Sequence, residues 1–591
     1  MLVEVMLNQV GEQMQRSKLS YGISDFKSLR NQGYLYIDKT AYIETLESYS
    51  AKYLFFIRPR RFGKSLFLSM LEHYYGVEHH DQFASLFGEF YIGQHPTELR
   101  NSYLVLKLNF SGLNTDDKSQ LEQTFLRAFK GDLNRFFNKY TTLFSDNSHF
   151  KTQVEQYPDF RSLWDIVFEA ARQADRKIYL IIDEYDHFAN DIIAESMLTM
   201  PVSDGNSQDD GQFYKNIIRA TGFVRDFYET IKLGTEYGID RIFMTGVSPI
   251  MLDDLTSGFN ISTNITMNAA LNEMLGFTEN EVRTLMGHGM TAIQEITLEE
   301  LRKNYNGYLF HEDGRSRMYN PDMILYFFTQ WGMSGKYPKQ LMDENVKTDY
   351  GRLHRLMGNE KNRQTLDNII RNEEIAADIV NKFSFELMYD EQYFVSLLFY
   401  MGLLTIDRQE KMWLVLKVPN YVIQTIFWEF IERRLRLEDG IQLNTEELRN
   451  TIRQMAYEGR IKPYIEYIGN HVIKQLSNRD LIQFDEKYLK VILFAYLIGS
   501  RAYRPISERE TENGYMDIFL EKDPRIPDIQ YEWIIELKYL KKSETAELEK
   551  TKIEGMRQLK RYAESREIAE QSNVKQALVI FIGKDAVVIL E

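Results

Sequence analysis

An α/β fold is predicted for most of this chain, and three stretches predict it. Lys52–Leu71 (KYLFFIRPRRFGKSLFLSML) is an apolar run, a basic loop ending Gly63-Lys64-Ser65, and a helix-like apolar repeat. Lys177–Asn190 (KIYLIIDEYDHFAN) is a second apolar run, and it ends in Asp183-Glu184. Residues 441–591 mix helix and strand patterns, and one of the strands sets Glu536 and Lys538 opposite an apolar face. Continuously apolar strands belong to parallel sheets covered on both faces, and such sheets bind ligands at the carboxyl ends of their strands.

The first stretch reads as strand, phosphate loop, helix. In the P-loop pattern G-x-x-x-x-G-K-[ST], loop amides cradle phosphates, the Lys reaches the β- and γ-phosphates, and the Ser hydroxyl ligates Mg²⁺. Gly63, Lys64 and Ser65 fit, but Arg58 stands where the first Gly belongs and Pro59 stiffens the next position. Tyr53–Ile57 is the strand, and Leu66, Leu68, Met70 and Leu71 begin the helix. Without this context, Gly-Lys-Ser would read as a basic surface turn.

With 591 residues, the chain exceeds one core, and about 150 residues per domain suggests three or four domains. The absence of Cys excludes disulfides and thiolate metal sites, and the first twenty residues lack the apolar core of a signal peptide. Val491–Ile498, the longest apolar run, falls short of the ~20 residues a membrane helix needs. No membrane association and a cytoplasmic location are therefore expected. A net charge of -15 argues against a general nucleic-acid coat yet leaves room for a local basic groove.

In chain order, Tyr34–Thr40 (YLYIDKT) reads as a strand running into a capped helix, and Tyr103–Phe110 (YLVLKLNF) as a further strand. Asp183 and Glu184 close the Ile178–Ile182 run as a Walker B strand requires, Asp183 to hold Mg²⁺ with Ser65 and Glu184 to orient the attacking water. Arg241–Thr245 (RIFMT) is a fourth strand. Thr245 is a candidate sensor of the γ-phosphate, the alternative being a hydroxyl that only caps the strand end. Arg219 and Arg225 lie where a neighbouring subunit's nucleotide could be reached, although a solvated helix face is the plainer reading. Pro201–Gly211 reads as a polar, acidic loop.

These residues resemble the bacterial predicted AAA-ATPase-like family, whose members often carry a C-terminal PD-(D/E)XK nuclease domain. The resemblance rests on YGISDFKSLR near Tyr21, YIDKT at Tyr36, RPRRFGKSL at Arg58, LIIDEYD at Leu180, FMTGVSPIML at Phe243, LGFTENEV at Leu275, and YNGYLF with YNP at Tyr305 and Tyr319. It implies ATP binding by Arg58, Arg60, Arg61, Phe62, Gly63, Lys64, Ser65 and Leu66, with Asp183 and Thr245. It also makes the missing first Gly a family feature. Asn306-Gly307-Tyr308 can be rationalised only as a turn. Glu391–Leu404, followed by Thr405–Asp407 and Trp413–Val418, suggests a helix and hairpin of winged-helix-like shape that serves packing more than DNA binding.

After this middle, a helix (Glu486–Gly499), strands at Ile506–Glu510, Tyr515–Glu521 and Tyr531–Leu540, a helix through Lys552, Gln558 and Tyr562, and a strand at Lys575–Gly583 give the order αβββαβ. That is the order of the PD-(D/E)XK nuclease core. In the third strand Ile534, Glu536 and Lys538 share one face, and Asp517 lies nineteen positions before Glu536, giving D-x₁₈-E-x-K. Hard oxygen ligands suit Mg²⁺ or Mn²⁺. Asp517 and Glu536 are the candidate metal ligands and Lys538 the residue that positions water or steadies charge. Glu486 is an extra candidate ligand, and Gln558 and Tyr562 are candidate supports.

The sequence therefore predicts an additional-strand P-loop domain at 1–334, a helical, winged-helix-like domain at 335–440 and a restriction-endonuclease-like domain at 441–591. The function expected is an ATPase coupled to a Mg²⁺-dependent nuclease acting on DNA or RNA, in a chain able to form homo-oligomers. The rival reading is a nucleotide-dependent switch or scaffold whose nuclease-like domain binds nucleic acid or protein without cutting.

Overall fold

A computed structural model of the chain describes residues 18–110, 120–187, 222–249, 259–287, 298–344, 346–347, 360–381, 383, 390–476, 485–569, 573–584 and 586–590. Arg219, the 201–211 loop and the end of FMTGVSPIML lie outside them. The chain divides into two compact units: 1–333 with 341–367 and 374–420, and 334–340 with 368–373 and 421–591. Residues of the 335–440 segment fall in both.

The first unit is built on a five-stranded parallel sheet. Its strands are β1 (Tyr53–Ile57), β2 (Tyr103–Asn109), β3 (Lys177–Asp183), β4 (Ile239–Gly246) and the two-residue β5 (Thr263–Asn264), in the order β2-β3-β4-β1-β5. β4 thus lies between the phosphate-loop strand and the acidic strand, the additional-strand arrangement. Leu54–Ile57 and Ile178–Asp183 are buried throughout, as strands covered on both faces must be. Helix α1 (Lys64–Tyr75) follows β1; Tyr75 sets its ring against those of Tyr103 and Tyr179, and Phe67 against Phe243. Helices α2 (Leu121–Lys139), α3 (Phe160–Gln173) and α4 (Phe223–Tyr237) join through Phe125, Phe129, Phe160, Trp164 and Phe227. Asp159 caps α3, its carboxylate accepting from Ser162 N at 2.9 Å.

Later in the same unit, β6 (Glu374–Ala377), helix α5 (Glu391–Tyr400), β7 (Thr405–Glu410) and β8 (Trp413–Lys417) form the helix and hairpin read from sequence. β6 is an unforeseen third strand: β8 pairs antiparallel with both β6 and β7.

The second unit holds a mixed sheet. Asp485 caps helix α6 (Glu486–Ile498) by accepting from Tyr488 N. β9 (Tyr503–Thr511), β10 (Gly514–Lys522) and β11 (Glu532–Leu540) pair antiparallel; helix α7 (Leu548–Ala563) then crosses to β12 (Val574–Ile582), parallel to β11. This is the expected αβββαβ order, extended by β13 (Ala586–Leu590) on the edge of β12. Leu559 and Tyr562 of α7 pack on Ile534, Leu578 and Ile580. Gly555 lets the helix approach, because a Cβ there would meet Leu578 Cδ1 at 2.5 Å.

Candidate functional sites

In the first unit the loop after β1 runs through Arg61 (φ 68°) and Gly63 (φ 91°) into α1. Backbone in the left-handed region turns the loop back toward the helix N-terminus, where orphan amides favour anions. Lys64 is buried, its Nζ donating to Arg58 O and Pro59 O at 2.9 Å each. Burial lowers its pKa to about 8, against the opposing pull of Asp183, Glu184 and Asp186. A cleft of about 430 Å³ opens over this loop. Arg60, Arg61, Phe62, Gly63, Lys64, Ser65, Leu66 and Glu184 line it, together with apolar walls that include Ile23, Tyr36, Leu275, Phe277 and Leu285.

Asp183 ends β3 with its side chain buried, and its Oδ1 has no hydrogen-bond partner among the described residues. Glu184 follows in a left-handed conformation, φ 50°. Burial raises its carboxyl pKa, opposed by His187, whose Nδ1 is 3.5 Å from Oε2.

Two members of the expected set are placed differently. Arg58 is a buried structural residue, not part of the cleft. Its guanidinium lies 4.1 Å from the ring centres of both Phe56 and Phe310 and donates to the backbone oxygens of Ile57, Thr266 and Leu271. Burial lowers its pKa to about 9. Thr245 gives its hydroxyl to Phe56 O at 2.7 Å, which is the strand-anchoring alternative. Arg225 is paired on its own helix with Glu229.

Sequence reasoning missed Asp186. Its carboxylate accepts from Val247 N, Ser248 N and Ser248 Oγ, and Tyr185 donates to Ser248 O, so the two residues after Glu184 fasten the end of β4. A Cβ on Gly246 would meet Asp186 Oδ1 at 2.3 Å. The third acid of LIIDEYD was the available signal. The YNGYLF segment also gains a role: Tyr308 and Phe310 pack edge-on against Phe62, and Gly307 (φ 119°) passes so close to Pro419 O that a Cβ would lie 2.0 Å from it. The segment is a buttress of the phosphate loop.

In the second unit β10 and β11 are paired over Ile518–Leu520 and Trp533–Ile535. Beyond that pairing the Asp517 carboxylate takes over from the ladder, accepting from Leu537 N at 3.1 Å. Lys538 Nζ is 3.4 Å from Asp517 Oδ2 and 2.6 Å from Glu536 Oε1. Glu536 is fully buried, and apart from that ammonium neither of its oxygens has a hydrogen-bond donor among the described residues. Burial and then Asp517 push its pKa up to about 7, while the carboxylates hold Lys538 above the ordinary lysine value. Glu486, on α6, accepts from Tyr539 N at 3.1 Å, and burial raises its pKa. Tyr562 has its pKa raised to about 12 by burial and then by Glu536 and Asp517. The structure thus brings together Asp517, Glu536 and Lys538, with Glu486 and Tyr562 at their edge; the Gln558 side chain makes no hydrogen bond among the described residues.

Among the described residues no three His, Cys, Asp or Glu side chains form a metal cluster. A buried carboxylate short of donors beside a second one nevertheless fits Mg²⁺, which binds through one or two carboxylates and keeps waters and substrate phosphates as its other ligands.

These folds define a P-loop NTPase of the additional-strand type and a nuclease-like mixed-sheet domain. Family models agree: a predicted AAA-ATPase matches residues 20–256 and the PD-(D/E)XK nuclease superfamily matches 484–591, so the chain carries both domains. An uncharacterized protein in the vnfD 5′ region of Azotobacter chroococcum mcd 1 is 26% identical over 328 residues, 53% of this chain and 52% of that protein. The chain spans about half the length of this curated relative. The crystal structure of Cdc6p from Pyrobaculum aerophilum aligns with 69% of this chain and 98% of its own at 10% identity, with a TM-score of 0.26. No helix among the described residues is long and apolar enough to cross a membrane.

Proposed function

We propose that this protein is a nucleotide-controlled, Mg²⁺-dependent nuclease acting on DNA or RNA. The observation that carries the reading is Glu536, a fully buried carboxylate beside Asp517 whose only cation among the described residues is Lys538. A core carboxylate with one ammonium and no hydrogen-bond donor among the described residues is costly to bury, which favours a site that takes a ligand. Asp517 and Glu536 would hold the divalent ion; when bound, it supplies charge for the scissile phosphate and an acidified water. Lys538 is within reach of both carboxylates and would leave Glu536 to steady that water or the developing phosphate charge.

In the first unit, Lys64 and the loop from Arg60 to Leu66 would hold the phosphates of ATP. Ser65 and Asp183 would share the accompanying Mg²⁺, which is favoured by an Asp183 Oδ1 with no hydrogen-bond partner among the described residues. Glu184 would orient the attacking water. ATP state would then control access to the nucleic acid. A working division at 1–334, 335–440 and 441–591, a cytoplasmic setting and self-association are parts of the same proposal.

The deciding experiment incubates purified full-length protein with supercoiled, linear and single-stranded DNA and with RNA, with and without Mg²⁺ and ATP. Mg²⁺-dependent cleavage that ATP alters is the expected outcome. Nucleotide binding with neither turnover nor cleavage would replace this reading with that of a switch or scaffold.

A further inference from the structure

The active carboxylates pose an electrostatic difficulty for their own substrate. A nucleic-acid strand approaching Glu486, Asp517 and Glu536 meets like charge, and the chain as a whole carries -15. A cationic surface beside the site would offset that repulsion, and the C-terminal half of α7 offers one.

That half, Gly555–Ala563 (GMRQLKRYA), contains Arg557, Lys560 and Arg561 and no acid. All three are exposed. Among the described residues none of their side chains makes an ion pair or hydrogen bond, whereas Lys550 and Lys552 in the first half are paired with Glu554 and Glu549 at 4.0 and 2.6 Å. The helix cannot roll to bury them, because Gly555, Leu559 and Tyr562 fix its inner face. Its C-terminal end is tied to the hairpin that carries the site: Asn513 Nδ2 donates to Arg561 O at 2.9 Å, and Arg566 N donates to Glu512 Oε1 at 2.7 Å. The same helix end lies against the start of β10, where a Cβ on Gly514 would come within 3.8 Å of Tyr562 Cε1. On the same hairpin Tyr515 is 59% exposed. It precedes Asp517 by two residues in β10, so the two share a face about 7 Å apart.

Resting on the nuclease reading, we propose that Arg557, Lys560, Arg561 and Tyr515 form the track by which a nucleic-acid strand enters the Asp517–Glu536–Lys538 site, the three cations engaging phosphates and the tyrosine ring stacking an unpaired base. Aromatic platforms beside basic grooves are how sequence-independent single-strand binding is built. Ile553 and Met556, exposed on the preceding turn, extend the same outward surface.

The test measures fluorescence anisotropy of labelled 20-nucleotide single strands and duplexes with full-length protein over a NaCl series without added divalent metal, and then cleavage with Mg²⁺. Arg557→Ala/Lys560→Ala/Arg561→Ala is expected to weaken binding tenfold or more at low salt and to flatten the single-strand salt slope by about two, at ~0.7 per lost contact. Lys550→Ala/Lys552→Ala should match wild type in both. Tyr515→Ala should weaken single-strand binding about fivefold or more and duplex binding less, with Tyr515→Phe restoring it. Circular dichroism melts check that the variants fold. If wild type cuts, Asp517→Asn does not, and the triple variant binds and cuts as wild type does, the track is overturned while the nuclease reading stands. If only Tyr515→Ala is silent, the stacking platform is overturned. If wild type neither binds nor cuts any nucleic acid, the nuclease reading fails and the track with it.

Discussion

Both candidate sites are built around a lysine, Lys64 buried and Lys538 half-buried, and the two are pushed in opposite directions. Lys64 is held by neutral backbone carbonyls, and burial lowers its pKa to about 8. Lys538 sits among Asp517, Glu536 and Glu486, which outweigh its burial and raise its pKa. The difference tells what each site lacks. With Arg60 and Arg61 lining the cleft, the first offers positive charge and backbone amides and is poised for an anion. The second has three carboxylates around one ammonium and is poised for a cation. Local charge excess, not the identity of the lysine, sets the class of ligand.

The sharpest break of this comparison is Lys538→Ala. It is expected to abolish Mg²⁺-dependent cleavage, by roughly 10³-fold or more, the scale of lost charge stabilisation at a reacting centre. Nucleic-acid affinity should change little, since one lost charge alters the salt slope by about one at most. Asp517→Asn should also fail, through lost metal. Cleavage surviving in both variants would assign the activity elsewhere.

Lys64→Ala should lower ATP affinity about 100-fold by calorimetry, with the melting temperature nearly unchanged, because loss of the donor to Arg58 O and Pro59 O is offset by relief of the burial of a charge. Glu184→Gln should keep Mg²⁺-ATP and slow phosphate release about 10²-fold, as the loss of an acid–base group does. The pair separates binding from turnover within one cleft.

A pH titration sharpens the comparison at the other site. Glu536 must be ionised to ligate a metal, and its pKa is pushed up to about 7. Protons therefore compete below that value. Mn²⁺ or Mg²⁺ affinity, followed by calorimetry, should rise as pH goes from 6 to 8 and flatten above it. Glu536→Gln should bind weakly at every pH. An affinity unchanged between pH 6 and 8 would remove Glu536 from the ligand set.

The smallest effect on chemistry, with a clear effect on folding, is expected of Arg58→Gly, which restores the usual phosphate-loop pattern. Losing three charge-assisted hydrogen bonds and the sandwich between Phe56 and Phe310 should cost about 3 kcal/mol in a denaturant melt. ATP affinity at a temperature where the variant is folded should improve little or not at all.

Arg58 also marks where reading the chain alone goes astray. As a charged residue in a phosphate loop it belongs in sequence to the ligand's side. Beyond its chain neighbours Phe56 and Ile57, however, its partners are the carbonyls of Thr266 and Leu271 and the ring of Phe310, all more than two hundred residues away. YNGYLF was legible as a motif and illegible as a buttress for the same reason, since its partner Phe62 is equally remote. Thr245 was placed at the end of the correct strand, but the direction of its hydroxyl depends on the pairing of β4 with β1. β13 escaped notice because the chain reverses only briefly after β12.

The sequence by itself determined the elements and the chemistry they carry: apolar runs that must be covered strands, an amide-rich turn before a helix, and an alternation that puts Glu536 and Lys538 on one face. Those depend on periodicity and on residues within a turn or two of one another. The strand order that sets β4 between β1 and β3 was already implied by the additional-strand reading, whereas tertiary structure alone decided the divergence beyond Ile518 and Ile535 that leaves Asp517 to cap Leu537 N. It also decided which cations were consumed by the fold, as Arg58 is, and which were left exposed without an acidic partner among the described residues, as Arg557, Lys560 and Arg561 are. Burial and charge balance are properties of groups brought together from distant parts of the chain, so they exist only once the chain has folded.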